Sequence, residues 1–463
     1  MYERDTIAAI ATPPGQGGIA IIRVSGPQAE TIARRVFILA QPCERLRSHH
    51  LYFGRVIDPL SGHPLDQGLL ALMRAPRSYT GEDVAEIHCH GGSLLSQRIM
   101  AAILSQGARL ASPGEFTKRA FLNGRLDLSQ AEAVLDLIQA KSEPGLQLAW
   151  EQLSGRLSAT CVAMRDKLLG LTAYVEAFLD FPEEDIPERA QTEMQGDLAT
   201  LTTEIAALSA TFAQGKVYRE GIRTAIIGKP NVGKSSLLNL LAGTERAIVT
   251  PVPGTTRDIL EETVVVSGVP LVVWDTAGLR HPTDEVERIG VERARAGVRE
   301  AELVLALFDA SRPFDEEDQT VCDEIAGKTV IAVLNKIDLP CAVHPAELEA
   351  RLSSGPLVSL SARCGTGLAD LQARIQAIVC GPGPMPGQEQ TGGVIVVRAR
   401  HRDALAKAEH SLQQVSASLQ AGLPLDIVAV DLHAALDHLG EITGHVSSED
   451  ILDRVFREFC IGK

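Results

Sequence analysis

The stretch GKPNVGKS at residues 228–235 sets two glycines, a lysine and a serine where a polyphosphate could be cradled. Gly228 and Gly233 permit tight turns that aim successive backbone N–H groups at phosphate oxygens. Lys234 offers a cation to the β- and γ-phosphates and Ser235 a hydroxyl to Mg²⁺, with Asn231, Val232 and Ser236 completing the loop. The run follows the apolar stretch IRTAIIG and precedes SLLNLLAG, the strand–loop–helix setting the motif requires. The helix amino terminus adds its partial positive charge. The alternative, a glycine-rich turn with a chance lysine, does not explain that setting.

Further motifs follow in order. In WDTAGLR (274–280), Asp275 ends an apolar run and can hold a magnesium-bound water, while Gly278, after Thr276 and Ala277, offers its amide to a γ-phosphate. In NKID (335–338), Asp338 can accept two hydrogen bonds from guanine N1–H and the 2-amino group, a pattern that adenine lacks. Asn335 can brace the loop, the Lys336 stem can cover the base, and Ile337 lies between them. Ser361, Ala362 and Arg363 can present a backbone N–H to guanine O6. Between the phosphate loop and DTAG lies TPVPGTTRD (250–258), whose Thr256 is a natural ligand for Mg²⁺ and the γ-phosphate. Thr250, Pro251, Val252, Pro253, Gly254 and Thr255 lead up to it along the nucleotide. The ordered set reads as a guanine-nucleotide site that hydrolyses GTP. One position is wrong for the simplest mechanism. Ras-like proteins carry a water-orienting glutamine after the DTAG run, whereas this chain carries Leu279, which can neither donate nor accept a hydrogen bond.

The elements that must position these residues are legible as pattern. Strand candidates IRTAIIG, TVVVSG, PLVVWD, ELVLALFDA, TVIAVLNKID and LVSLSA alternate with helical stretches over residues 221–380, the signature of a mostly parallel, doubly wound sheet. Residues 1–121 mix strand candidates (IAIIRVSG, DVAEIHCHGG) with turns and a helix whose Leu94, Leu95, Ile99, Ala102 and Ile103 share a side, an α+β domain. Residues 122–220 are helical with a break near 181–188. Their first helix opens on a capping box of Ser129 and Glu132. GPGPMPGQEQTGG (381–393) reads as a linker, and residues 394–459 as helical again. The α/β domain is therefore inserted into a helical domain made of 122–220 and 381–463.

The 463 residues, 45% hydrophobic but only 4% aromatic, suffice for several domains with aliphatic cores. A net charge of −15 argues against wrapping nucleic acid non-specifically and leaves a local basic patch open. Eight cysteines without a CxxC pair fit reduced thiols. With no signal-peptide pattern and no apolar run of about 20 residues, the expectation is a cytoplasmic protein. The pair His88 and His90 lacks a third ligand in sequence and reads as structural or substrate-facing before it reads as a metal site.

From end to end the chain resembles the MnmE (TrmE) family of tRNA modification GTPases. The resemblance rests on DTIAAIATPPGQGGIAIIRVSG, RSYTGEDVAEIHCHGG, PGEFTKRAFLNGRLDLSQAEAVLDLI, GKPNVGKSSLLN, DTAGLRHPTDEVERIG and the terminal FCIGK. It implies an amino-terminal domain that binds a reduced folate (5-formyl- or methylene-tetrahydrofolate) and forms a homodimer, and a discontinuous helical domain carrying a Ras-like GTPase. It also implies an FAD-containing partner, MnmG, with which the family adds an aminomethyl or carboxymethylaminomethyl group to carbon 5 of the wobble uridine (U34) of certain tRNAs. The folate is the implied one-carbon source. GTPase motifs alone would equally suit an RNA-binding or ribosome-assembly GTPase without modification chemistry; the terminal motifs separate the two. A folate-dependent one-carbon transferase with a regulatory GTPase is a further alternative.

The resemblance also answers Leu279. It implies a bound K⁺ at the phosphates, held by Asn231 and by oxygens of Thr250, Val252 and Thr255, supplying the positive charge that an arginine finger otherwise brings. Pro253 departs from the usual alanine and restricts Val252, the least secure of these ligands. Glu287 in DEVERIG matches the catalytic glutamate; read alone, it is as well an exposed acidic helix start beside Asp284 and Glu285. Arg23, Glu82, Arg125 and Lys463 match the folate positions, with surface ion pairs as their plain alternative. Ile451, Leu452, Val455, Phe456 and Phe459 should dock a terminal helix that Gly462 ends. Cys460, four residues after Phe456, is a candidate functional thiol or, equally, a buried structural one.

Overall fold

The computed structural model describes residues 5–180, 191–244, 262–273, 297–352, 355–381, 393–446, 448–460 and 462–463. The chain divides into two units, one made of Met1–Leu135, Leu153–Arg165 and Leu436–Lys463, the other of Asp136–Gln152 and Asp166–Ala435.

The first unit is built on a seven-stranded sheet of β1 (Ile7–Ile10), β2 (Ile19–Ser25), β3 (Phe37–Leu39), β4 (His50–Ile57), β5 (Pro64–Met73), β6 (Val84–His90) and β7 (Arg109–Leu110), in the order β3-β4-β5-β6-β2-β1-β7. All pairs are antiparallel except β1–β7. The helices Ala29–Val36 and Ser93–Leu104 cover one face through Ile32, Val36, Ile99 and Ile103, which meet Ile22, Val24, Leu70 and Ile87. Because side chains alternate along a strand, Arg23 points away from this core, opposite its register partner Glu86 on β6. Leu94 does not join the core as its spacing suggested; it is 73% exposed on the outer side of its helix.

A second core in this unit gathers Leu128, Ala131, Leu135, Leu452, Val455, Phe456 and Phe459, so the terminal helix docks as its spacing predicts. Its end differs. The helix runs Glu449–Arg457, stopping short of Gly462, which packs on β1 with φ +102 and no room for a Cβ beside the Ile10 carbonyl. The helix Leu128–Gln139 also starts differently. Asp127, not Ser129, closes the box: its Oδ1 accepts from the Gln130 amide at 2.9 Å, and Gln130 Oε1 accepts from the Asp127 amide at 2.9 Å. Ser129 is buried against Ser158 at 2.9 Å.

The second unit holds a six-stranded sheet of β8 (Ile222–Gly228), β9 (Glu262–Val266), β10 (Val269–Val273), β11 (Leu303–Asp309), β12 (Val330–Asn335) and β13 (Leu357–Ser359), ordered β13-β12-β11-β8-β10-β9. Every pair is parallel except β9–β10. The near-continuous apolar runs of β8, β11 and β12 follow from burial on both faces. The helices Arg156–Asp180, Gln191–Ala210, Ala399–Gln420 and Leu425–Thr443 supply the long helical framework on either side of this domain in sequence. Residues 394–398 are not helical; Val397 belongs to the apolar core that includes β8 and β10. The fold is thus mixed: an α+β amino-terminal domain, helices, and an inserted doubly wound domain. No helix among the described residues is long and apolar enough to cross a membrane.

Candidate functional site

Each described residue of the nucleotide motifs sits at or just beyond the carboxyl end of a parallel strand, where ligands of doubly wound sheets bind. The phosphate loop leaves β8 through Gly228 (φ +146), Asn231 (φ +60) and Gly233 (φ +106) and enters the helix Lys234–Thr244. A Cβ on Gly233 would lie 2.3 Å from Asn335 Nδ2, so the loop tolerates glycine there for space as well as dihedral angle. Lys234 Nζ donates to the carbonyls of Gly228 at 2.6 Å and Lys229 at 2.8 Å, poised over the loop's concavity. Val232 is buried, whereas Asn231, Ser235 and Ser236 are exposed. A hydroxyl and an amide oxygen so placed are hard ligands of the kind that suits Mg²⁺ and K⁺.

Asn335, 2% exposed at the end of β12, ties the loops together. Its Nδ2 donates to the Val232 carbonyl at 2.8 Å, and its Oδ1 accepts from the Ala362 amide at 2.9 Å. Ser361 Oγ donates to Asp338 Oδ1 at 2.6 Å, and this bond holds the Asp338 carboxyl below its ordinary pKa, an ionised acceptor at neutral pH. The Ser361 amide donates to the Thr366 carbonyl at 2.9 Å. The Ala362 amide is likewise engaged, by Asn335 Oδ1. Ile337 packs partly buried under the loop.

Two lysines brace the site through ion pairs that sequence reasoning missed. Lys336, in a left-handed conformation (φ +67), places Nζ 2.6 Å from Asp309 Oδ2 at the end of β11. Burial acts to raise the Asp309 pKa, but the Lys336 ammonium and Ser311 outweigh it, and the net shift is downward. Lys229 Nζ lies 2.6 Å from Asp315 and 2.7 Å from Asp318, which together form the capping box of the helix Glu316–Glu324. Neither pair is close in sequence; the register that sets Asp309 opposite Asn335 was the one available signal. The stretch 250–256, the stretch 275–279 and Glu287 lie outside the described residues.

In the first unit the structure gathers Arg23, Glu82 and Lys463. Arg23 Nε pairs with Glu86 Oε1 at 2.8 Å, its Nη1 donates to the Gly462 carbonyl at 3.5 Å, and its guanidinium carbon lies 5.4 Å from the Tyr79 ring centre and 5.7 Å from that of Phe116. Lys463 is half-buried near this group; burial, then the Arg23 charge, lowers its pKa. Glu82 Oε2 accepts from Ser25 Oγ at 2.8 Å and pairs with Arg119 Nη1 at 3.1 Å. Arg119 is fully buried and also pairs with Glu115 at 3.0 Å and with Asp5. The exposed Arg125 lines Gly81, where an added Cβ would meet its Cγ at 3.2 Å. Cations, a carboxylate and aromatic rings in this arrangement fit an anionic ligand with a hydrogen-bonding ring system. Glu86, Ser25 and Arg119 were not singled out from sequence. The period-2 pattern of β6 carries a signal for Glu86, since its register places it beside Arg23.

Cys460 is exposed, which removes the buried structural thiol: the helix has ended at Arg457, so the four-residue spacing from Phe456 no longer sets the side chain inward. His88 lies 3.4 Å from Glu86 and His90 2.8 Å from Asp66, and among the described residues no group of three or more potential metal ligands occurs.

Comparison with known proteins covers both units. The family profile described as the MnmE helical domain matches residues 128–460, and that described as the GTP-binding protein TrmE N-terminus matches residues 6–125. The chain is 46% identical to the tRNA modification GTPase MnmE of Moorella thermoacetica, over 99% of either chain, and 47% identical to that of Geobacter sulfurreducens, over 100% of either. Among solved structures, the G domain of the T. maritima FeoB iron transporter is 29% identical, covering 33% of this chain and 96% of its own, with a TM-score of 0.26. Matched along its whole length, the chain belongs to the MnmE (TrmE) family of tRNA modification GTPases.

Proposed function

We propose that the chain is a potassium-activated GTPase that, as a homodimer and with an FAD-containing partner, adds an aminomethyl or carboxymethylaminomethyl group to C5 of the wobble uridine of certain tRNAs. The observation that carries the GTPase half is the Asn335 bridge, which sets the phosphate loop and the guanine-reading Asp338 loop in one rigid frame. Asp338 reads guanine, Lys234 meets the phosphates, and Ser235 with Thr256 holds Mg²⁺. Asn231, Thr250, Val252 and Thr255 hold K⁺, and Glu287 orients the attacking water in place of a glutamine. A monovalent cation at the phosphates supplies positive charge opposite the charge that develops in the transition state. Arg23, Glu82, Arg125 and Lys463 bind a reduced folate, the one-carbon source of the modification.

The test is mass analysis of wobble uridines in tRNA from a strain deleted for the gene and complemented with the wild type or with Lys234→Ala. The wild type restores the modified nucleosides and the variant does not. Unmodified profiles that are identical in all three strains would leave a GTPase of another purpose.

A further inference from the structure

Both chain segments that connect the inserted domain to the helices meet at one carboxylate. Asp136, on the helix Leu128–Gln139, is 6% exposed. Its Oδ1 accepts from Arg219 Nε and from Arg398 Nη2, each at 2.8 Å, and its Oδ2 accepts from Arg398 Nε at 3.0 Å. Arg219 lies in the last turn of the helix Phe212–Glu220, directly ahead of β8. Arg398 is the N-cap of the helix Ala399–Gln420, where the chain returns. The outgoing and returning segments are themselves locked side by side. The Val396 amide donates to Thr211 Oγ1 at 2.9 Å, and a Cβ on Gly215 would fall 2.1 Å from the Val396 carbonyl oxygen.

The same node reaches the nucleotide sheet. Gly221 (φ +82) leaves space for a Cβ only 2.8 Å from the Pro270 carbonyl on β10, the strand that leads toward Asp275. Tyr218 is fully buried in one core with Val264, Val266 and Leu271, and Lys216 pairs with Glu302, next to β11, at 3.2 Å. Gly221, Tyr218 and Lys216 thus tie the helix Phe212–Glu220, and with it Arg219, to β10 and to the start of β11. On the other side, the helix Glu143–Leu153 abuts that segment so closely that a Cβ on Gly145 would lie 2.6 Å from the Tyr218 carbonyl. A buried ion pair is a weak source of stability and a good source of register. A cavity of about 210 Å³ lined by Asp136, Lys141, Leu148, Tyr218 and Arg219 gives the pair room to change partners without repacking a core.

We infer that Asp136 is a positioning residue: by holding Arg219 and Arg398 it keeps the segment Phe212–Glu220 seated on the helix Glu143–Leu153, so that the nucleotide state of the inserted domain reaches that helix. This rests on nucleotide binding alone and not on the modification chemistry. The experiment is amide hydrogen exchange on the full-length chain with and without saturating GDP. In the wild type, GDP slows exchange in the phosphate loop and, by roughly fivefold, the low end for coupled sites, in the helix Glu143–Leu153. In Arg219→Gln, which spares the bidentate Arg398 pair, loop protection persists and the response of the helix vanishes; Arg219→Lys, which keeps the charge, retains part of it. Asp136→Asn gives the same loss. A wild-type helix that ignores GDP overturns the inference. So does an Arg219→Gln helix that exchanges faster in both states but keeps the wild-type ratio, since that marks a purely structural pair. Loss of protection in the loop itself would instead report failed nucleotide binding.

Discussion

Replacement of Asn335 by alanine should disable the nucleotide site without touching a nucleotide ligand of the phosphate loop. The side chain is 2% exposed and makes two hydrogen bonds, to the Val232 carbonyl at 2.8 Å and from the Ala362 amide at 2.9 Å. Alanine leaves both backbone groups unpaired, at about 1–3 kcal/mol each. Water entering the vacated space relieves part of this, so the net cost is about 2–4 kcal/mol. For a domain of this size each kcal/mol moves Tm by about 2–4 °C, a total of about 4–16 °C. The assay is calorimetry of the nucleotide-free full-length chain, following the transition that GDP shifts, with a fluorescent-GDP titration beside it. Affinity should fall at least about tenfold, the equivalent of 1.4 kcal/mol. Asn335→Asp should be worse than alanine, because it keeps an acceptor for Ala362 but turns a carboxylate oxygen on the Val232 carbonyl. An alanine variant with unchanged Tm and affinity, or an aspartate variant better than alanine, would refute the bridging role.

Other outcomes follow from the same geometry. Asp338→Asn should reverse base preference, weakening GTP and favouring XTP, whose C2 carbonyl accepts where guanine donates; competition binding of the two nucleotides reads it. Glu287→Ala should bind GTP normally and hydrolyse it about 10²–10⁴-fold more slowly, the usual worth of a group that positions a proton acceptor; single-turnover hydrolysis checks both halves. Asp309 has a folded-state pKa below its unfolded value, so its contribution to stability is full above the unfolded value and lost as pH falls through the folded one. The stability gap between wild type and Asp309→Asn should therefore shrink between roughly pH 5 and pH 3, and a gap that widens on acidification would contradict the assigned direction.

What could be read in the sequence was what is local in the chain. The phosphate loop needs glycines at fixed offsets, and β8, β11 and β12 of the inserted sheet are near-continuous apolar runs because both of their faces are covered. What escaped was set by distant partners. Arg119 looks like one more polar residue on an amphipathic helix, yet Asp5, Glu82 and Glu115 converge on it and allow it to be buried. Lys229 gives no hint that Asp315 and Asp318 will hold it. Local signals also competed: Asp127 lies two residues before Ser129 and took the capping role, leaving Ser129 to pack inward. Cys460 was misplaced by extending a helical period past the turn at which the helix stops.

The central claim is that an alkali-metal ion and Glu287 together do what Leu279 cannot. The most direct measurement is the GTP turnover number of the full-length chain in potassium chloride and in sodium chloride at equal ionic strength. The account predicts rapid turnover in potassium and near-basal turnover in sodium, with the difference abolished in Asn231→Ala. Equal turnover in the two salts would contradict it.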